Sequence, residues 1–146
     1  MFTTTLPITL VLAGALALLN IWLSFRVGQV RRSEKVSVGD GGSERVLRRM
    51  RAHANFAENA PITLALVGLI EFAAGTSVWL WAPAALFLLA RIAHGLGMDG
   101  WNVGRAFGTG ATLGLQLVLA LWAISIPLSG AYSPAIRDVD ATTVRG

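Results

Sequence analysis

Residues 6–25 read LPITLVLAGALALLNIWLSF, and this stretch contains no charged side chain. A helix needs about 20 consecutive apolar residues to cross a hydrocarbon core of about 30 Å, so the stretch is long enough to span a membrane. Its apolar residues run together, as in Leu10 to Ala13, whereas the strands of a membrane β-barrel alternate apolar and polar residues. The stretch therefore predicts a transmembrane helix.

Three more apolar stretches of similar length follow, at about residues 56–74, 78–98 and 110–128. Charged residues make up 14% of the chain and hydrophobic residues 54%, whereas soluble domains are about 25% charged. Polar surface is therefore too scarce to cover a water-soluble domain. We predict an all-α membrane protein, a bundle of four transmembrane helices that forms a single domain.

The second stretch belongs to a longer helix, which we predict over residues 44–74. Ser43 is a suitable N-cap, because its hydroxyl can accept from a free backbone N–H of the first turn. The predicted length of about 47 Å exceeds the hydrocarbon thickness, so the first turns should project from the membrane. Pro61 lies inside this helix and leaves the carbonyl of Ala57 without its helical donor. After the fourth helix we predict a polar tail at residues 129–146.

The basic residues are concentrated between the first and second helices. Eight of the twelve lie in this segment: Arg26, Arg31, Arg32, Lys35, Arg45, Arg48, Arg49 and Arg51. Cytoplasmic loops are enriched in Lys and Arg, so we predict that this segment is cytoplasmic and that both termini are external. No basic region precedes the first apolar stretch, so we expect that helix to be retained rather than cleaved as a signal peptide. Arg26 is expected at the membrane interface, near the end of the first helix.

The net charge of +4 does not by itself indicate nucleic-acid binding, because no recognition motif accompanies it. Membrane lipids with anionic headgroups are the expected electrostatic partners of the basic segment. The chain has no cysteine, which excludes a disulfide scaffold, a thiolate metal site and a cysteine nucleophile. We predict no metal site.

Polar residues on two of the apolar helices are the candidates for function. Arg51, Asn55 and Glu58 are spaced by four and three residues, which places them on one helix face. Arg91 and His94 share a face of the third helix by the same rule. An ionised carboxylate inside the apolar zone is costly unless it is paired, so Glu58 requires a cationic partner.

Two interpretations of these charges remain open from the residues alone. The facing groups form a polar pocket for a ligand, or Arg91 and Glu58 form an interhelical ion pair that only fixes the packing. Glu71, near the external end of the second helix, is interpreted as a carboxylate at the membrane interface.

The segment Arg51–Pro61, RAHANFAENAP, resembles a known family. Its pattern of Arg, three residues, Asn, two residues, Glu, two residues, Pro is similar to the second helix of the membrane-associated proteins in eicosanoid and glutathione metabolism (MAPEG). The similarity continues at Arg91, His94 and Arg105. The glycine-rich segment 38–42, VGDGG, resembles a small bacterial branch of that family.

This resemblance implies a homotrimer in the bacterial inner membrane, with glutathione bound between neighbouring subunits on the cytoplasmic side. The residues expected to hold the tripeptide are Arg51, Asn55, Glu58, Arg91 and His94. Arg105 matches the arginine that stabilises the thiolate in conjugating members. The chain departs from the pattern at Met98, where many members have a tyrosine, and at Asn59, where several have one.

Two functional hypotheses follow. In the first, the protein binds glutathione or a similar thiol at a site between subunits, and transfers it to a lipophilic electrophile or reduces a peroxide with it. In the alternative, a non-catalytic trimeric membrane protein binds lipid or a partner, and the pairs among Arg51, Glu58 and Arg91 are structural.

Overall fold

The computed structural model describes residues 5–129, and over this range the chain is helical apart from short connections. Helix α1 spans Pro7–Glu34, α2 spans Glu44–Ala74, α3 spans Trp81–Gly97 after a 3₁₀ turn at Val78–Leu80, and α4 spans Asn102–Leu128. Four helical segments, with the 3₁₀ turn counted as part of the third, are long and apolar enough to cross a membrane. The described part of the chain thus confirms an all-α protein with four helices of transmembrane type.

Helix α2 covers residues 44–74, as the sequence analysis has it, and the Ser43 side chain accepts a hydrogen bond from the Val46 N–H. Helix α4 begins at Asn102 rather than near residue 110. Two glycines in its first turns, Gly104 and Gly108, allow α4 to pack closely from its start, because a larger residue at either position would clash with a neighbouring group. A Cβ at Gly104 would overlap the ring of Trp101, and one at Gly108 would lie 2.5 Å from the carbonyl oxygen of Ala90.

Helix α1 also differs from the sequence-based expectation, because it continues through Arg26 to Glu34. Arg26 is 8% exposed, so its side chain packs inside the bundle rather than reaching outward from it. Its guanidinium instead donates to the carbonyl of Gly95 at 2.9 Å and to Asp99. Except for Ser129, the predicted polar tail lies outside the described residues.

The core lies between α1 and the other helices, and residues three or four apart on α1 supply much of it. These are Ile8, Leu12, Leu16, Leu19 and Leu23, and they belong to one cluster with Phe56, Val67, Ile70, Phe87, Leu115 and Leu119. The outward faces carry exposed leucine, isoleucine and phenylalanine side chains such as Leu18 and Ile21. An apolar outer surface over an apolar core is the pattern of a protein surrounded by lipid.

The interpretation of Glu71 as an interface carboxylate is wrong, because its side chain is 1% exposed. Its carboxylate accepts from the backbone N–H groups of Ile8 and Thr9, at 3.1 and 2.8 Å, and from the Thr9 and Thr76 hydroxyls at 2.6 and 3.0 Å. The first N–H groups of any helix lack partners within it, and Leu6 provides no side-chain cap for α1. Glu71 therefore caps α1 from α2.

Candidate functional site

A polar cleft of about 190 Å³ lies between α2 and α3. It is lined by Arg51, Ala54, Asn55 and Glu58 from α2 and by His94 and Met98 from α3. Four of the six site residues predicted from the sequence thus line one cleft. The spacing of four and three residues along α2 produces this arrangement, because it places the three side chains on consecutive turns of one face.

Arg91 lies beneath the cleft rather than in its lining, and its side chain is 1% exposed. Nη1 donates to Oδ1 of Asn55 at 2.6 Å and Nη2 donates to the carbonyl of Gly108 at 2.7 Å. The interhelical ion pair between Arg91 and Glu58, one of the two interpretations left open by the sequence, is therefore not formed. Arg91 instead connects α3 to α2 and α4 through uncharged acceptors. Its Nε has no hydrogen-bond partner among residues 5–129.

The hydrogen bond from Arg91 determines which atoms of the Asn55 amide face the cleft. A guanidinium can only donate hydrogen bonds, so the oxygen of the Asn55 amide faces Arg91. The NH₂ group of Asn55 is then the part of the amide left for a ligand. The cleft therefore presents donors from Arg51 and Asn55 and an acceptor from Glu58.

Glu58 is exposed in the single subunit, and the salt bridges found among residues 5–129 do not include it. A carboxylate at the edge of the apolar zone is costly without a partner. Among the described residues, Glu58 therefore lacks the cationic partner that the sequence analysis expects for it.

Arg105 lines a second, adjoining cleft of about 180 Å³. The lining of this cleft is Glu44, Arg48, Gly97, Met98, Gly100, Asn102 and Arg105. Met98 borders both clefts. The predicted catalytic residue therefore lies in a cleft that adjoins the one lined by the predicted binding residues.

The sequence model of the MAPEG family matches residues 9–125. The chain belongs to the MAPEG family. A search among curated proteins found no match to the chain. The matched range contains all four helices of transmembrane type except the first two residues of α1 and the last three of α4, so membership of MAPEG and the integral membrane architecture support each other.

In this MAPEG chain, a row of hydrogen-bonded polar groups between the helices continues below the cleft, and it was not predicted from the sequence. Gln116 of α4 donates to the Asn59 carbonyl at 3.3 Å and to the Thr63 hydroxyl at 3.1 Å. Thr112 donates to the carbonyl of Gly108, which also accepts from Arg91. Gln116 could have been found, because a glutamine in an otherwise apolar helix requires a hydrogen-bond partner.

A charged cluster around Asp99, at the end of the bundle where α3 ends, was not predicted from the sequence either. The carboxylate of Asp99 accepts from Arg26 of α1 and from Arg49 of α2. Little in the sequence points to this cluster, because Asp99 lies in a glycine-rich connection and both arginines belong to a generally basic segment.

Proposed function

We propose that the protein binds glutathione, or a thiol with the same pattern of charges, in the polar cleft between α2 and α3. The observation that carries the proposal is the placement of Arg51, Asn55 and Glu58 along one wall of this cleft. Glutathione has two carboxylates and one ammonium group. Arg51 and the Asn55 NH₂ suit a carboxylate, and Glu58 suits the ammonium, because charge-assisted hydrogen bonds are the strong ones.

The size of the cleft supports a site shared between subunits. Small-molecule sites usually measure about 300–1,000 Å³, whereas this cleft has about 190 Å³ and opens at the exposed Glu58. One subunit would therefore hold part of the tripeptide, and a neighbouring subunit of a homotrimer would cover the rest. Native mass spectrometry in mild detergent tests the assembly, and a stable monomer or dimer would contradict it.

When bound, glutathione would supply a thiolate whose sulfur, after loss of its proton, bonds to a lipophilic electrophile; in the peroxide case two glutathione molecules would supply the two electrons, giving an alcohol, water and the glutathione disulfide. The chain has no cysteine of its own for this role. Arg105 is the proposed catalytic residue, because a cation near a thiol stabilises its thiolate and Arg105 lines the cleft that adjoins the binding cleft. Met98 and the apolar outer helix faces favour a lipophilic second substrate that arrives through the membrane.

We propose further that the cleft lies on the cytoplasmic side of a bacterial inner membrane, with both termini external. The basic segment between α1 and α2 supports this orientation. In the cytoplasm the cleft would meet glutathione directly, and the basic segment would meet anionic lipid headgroups.

Calorimetric titration of the protein in lipid nanodiscs tests the binding proposal, with glutathione and N-acetylglutathione as the two ligands. Glutathione should bind and the acetylated form should bind more weakly, because acetylation removes the ammonium that Glu58 would accept. Equal affinities would mean that Glu58 does not bind the ammonium group of glutathione. No binding of either ligand would favour the alternative, a non-catalytic trimeric membrane protein that binds lipid or a partner.

A further inference from the structure

Asp99 joins three parts of the bundle at the end where α3 ends. It follows α3, and its carboxylate receives Nε and Nη2 of Arg49 from α2, each at 3.2 Å. The same carboxylate accepts from Nη2 of Arg26 from α1. We refer to Arg26, Arg49 and Asp99 as the Asp99 clamp.

The clamp is held more firmly than an ordinary surface ion pair. Arg26 is 8% exposed, its Nη1 donates to the Gly95 carbonyl at 2.9 Å, and its guanidinium lies 4.6 Å from the centre of the Trp22 ring. Arg49 also donates from Nη1 to the backbone carbonyl of Arg26 at 3.1 Å. Exposed pairs contribute little because solvent screens them and both side chains must be ordered, whereas Arg26 is buried and already ordered by its other contacts.

The opposite side of the same turn touches the backbone of Arg105. A Cβ added at Gly97 would overlap the Arg105 nitrogen and lie 2.8 Å from its Cα. Gly97 and Asp99 flank Met98, the side chain that borders both clefts. The end of α3 is therefore in contact with the clamp on one side and with the start of α4 on the other.

We infer that Asp99 is a positioning residue for Arg105. By pairing with both Arg26 and Arg49, it holds the end of α3 against α1 and α2. The close contact at Gly97 then determines where the backbone of Arg105 lies. Arg105 belongs to an early turn of α4, and its own side chain is exposed, so its position depends on the backbone beneath it. The inference rests on the proposed function for the role of Arg105, but the positioning itself does not depend on a ligand.

The test is an ultraviolet titration of the thiolate of bound glutathione in wild type, Asp99→Asn, Arg105→Ala and the double variant. The control is Glu34→Gln, which removes a carboxylate paired with Arg45 at 2.7 Å outside both clefts. Asp99→Asn should raise the pKa of the bound thiol by about 1, which is tenfold less thiolate at a fixed lower pH. The double variant should add little to Arg105→Ala, because Asp99 acts through Arg105. At pH below the pKa of the bound thiol, glutathione affinity should stay within about twofold in Asp99→Asn, since that substitution leaves Arg51, Asn55 and Glu58 in place; at higher pH the affinity should fall together with the thiolate, because the two are linked.

A second measurement separates this inference from the proposed function. A spin label at Val103→Cys, on the cysteine-free background, reports the mobility of the first turn of α4. Asp99→Asn should increase that mobility and Glu34→Gln should not, with or without glutathione. Unchanged mobility, or an unchanged thiol pKa in Asp99→Asn beside a raised one in Arg105→Ala, would overturn the inference. If wild type bound no glutathione, the proposed function would fail, and the label alone would decide whether Asp99 positions Arg105.

Discussion

The guanidinium of Arg91 lies beneath Asn55 and donates to its Oδ1 at 2.6 Å. The second terminal nitrogen of Arg91 donates to the carbonyl of Gly108 on α4. One buried cation thus orients a residue of the proposed binding site while remaining outside the lining of the cleft. Arg91 contributes to the site through Asn55.

Arg91→Lys is therefore predicted to weaken glutathione binding without removing the buried charge. An ammonium is a point charge, whereas the planar guanidinium holds two acceptors in a fixed geometry, so lysine would leave the Asn55 amide free to rotate. A loss of affinity of about tenfold, or about 1.4 kcal/mol, is expected by calorimetry. Arg45→Lys, at an exposed arginine outside both candidate clefts, is the matched control. Equal affinity in Arg91→Lys and wild type would show that Asn55 does not need this contact.

Glu58→Gln should lower the affinity for glutathione but leave that for N-acetylglutathione unchanged. A hydrogen bond to a charged group contributes about 1.5–3 kcal/mol, so a loss of about tenfold to a hundredfold is expected. Calorimetry on both ligands checks this, with Glu34→Gln as the control. A parallel loss for both ligands would indicate that Glu58 binds something other than the ammonium.

The same substitution separates a ligand-binding carboxylate from a structural one. Glu58 is exposed and takes part in none of the ion pairs found within residues 5–129. The unfolding free energy of the ligand-free subunit should therefore change by less than about 0.5 kcal/mol, as for most surface substitutions. A large loss of stability in the ligand-free protein would show that Glu58 has a partner outside the described residues.

Glu71→Gln is predicted to destabilise the bundle, although it lies far from the cleft along α2. Four groups donate hydrogen bonds to this carboxylate. Glutamine has only one acceptor oxygen, and its NH₂ group would face donors. Leaving buried donors unsatisfied costs about 1–3 kcal/mol. Unfolding in detergent should show this loss, while Glu34→Gln, an exposed pair, should show about 0–1 kcal/mol. Equal losses in the two variants would contradict the capping role.

Topology can be tested by cysteine labelling, because the natural chain has no cysteine. Val38 in the α1–α2 connection and Val78 after the α2–α3 turn are 84% and 74% exposed. An impermeant reagent should label Val78→Cys in intact cells and Val38→Cys only after permeabilisation, because the basic segment is predicted to be cytoplasmic. The reverse pattern would invert the orientation. Gly41 is a poor site for the label, since its φ of +59° and a Cβ 2.5 Å from Val36 would strain the loop.

The features predicted correctly from the sequence are those that depend on residues close together in the chain. Helix α2 begins at the Ser43 cap and ends at the turn after Ala74. Helical spacing places Arg51, Asn55 and Glu58 on one face of it. These features depend on residues within one or two turns of each other. The family pattern in the same segment depends on the same residues.

The features that sequence reasoning missed depend on contacts between distant parts of the chain. Glu71 satisfies N–H groups more than sixty residues away, and a hydropathy pattern carries no information on that pairing. Arg91 binds a backbone carbonyl and an amide rather than the carboxylate that charge alone suggested. The early start of α4 depends on close approaches of its glycines to α3 and Trp101.

Gly97→Ala tests the contact between α3 and Arg105 without changing any charge. The added Cβ would overlap the backbone of Arg105, and backbone cannot move aside by rotating a side chain, so α3 and α4 must separate. Overpacking of this kind costs about 1–3 kcal/mol, and the pKa of bound glutathione should rise as Arg105 shifts. Gly114→Ala is the control, because a Cβ there meets nothing within 4 Å and alanine favours the helix by about 1 kcal/mol. Unfolding in detergent and the ultraviolet thiolate titration measure the two effects. If Gly97→Ala and Gly114→Ala had the same unfolding free energy and the same pKa of the bound thiol, the close contact would not hold Arg105 in place.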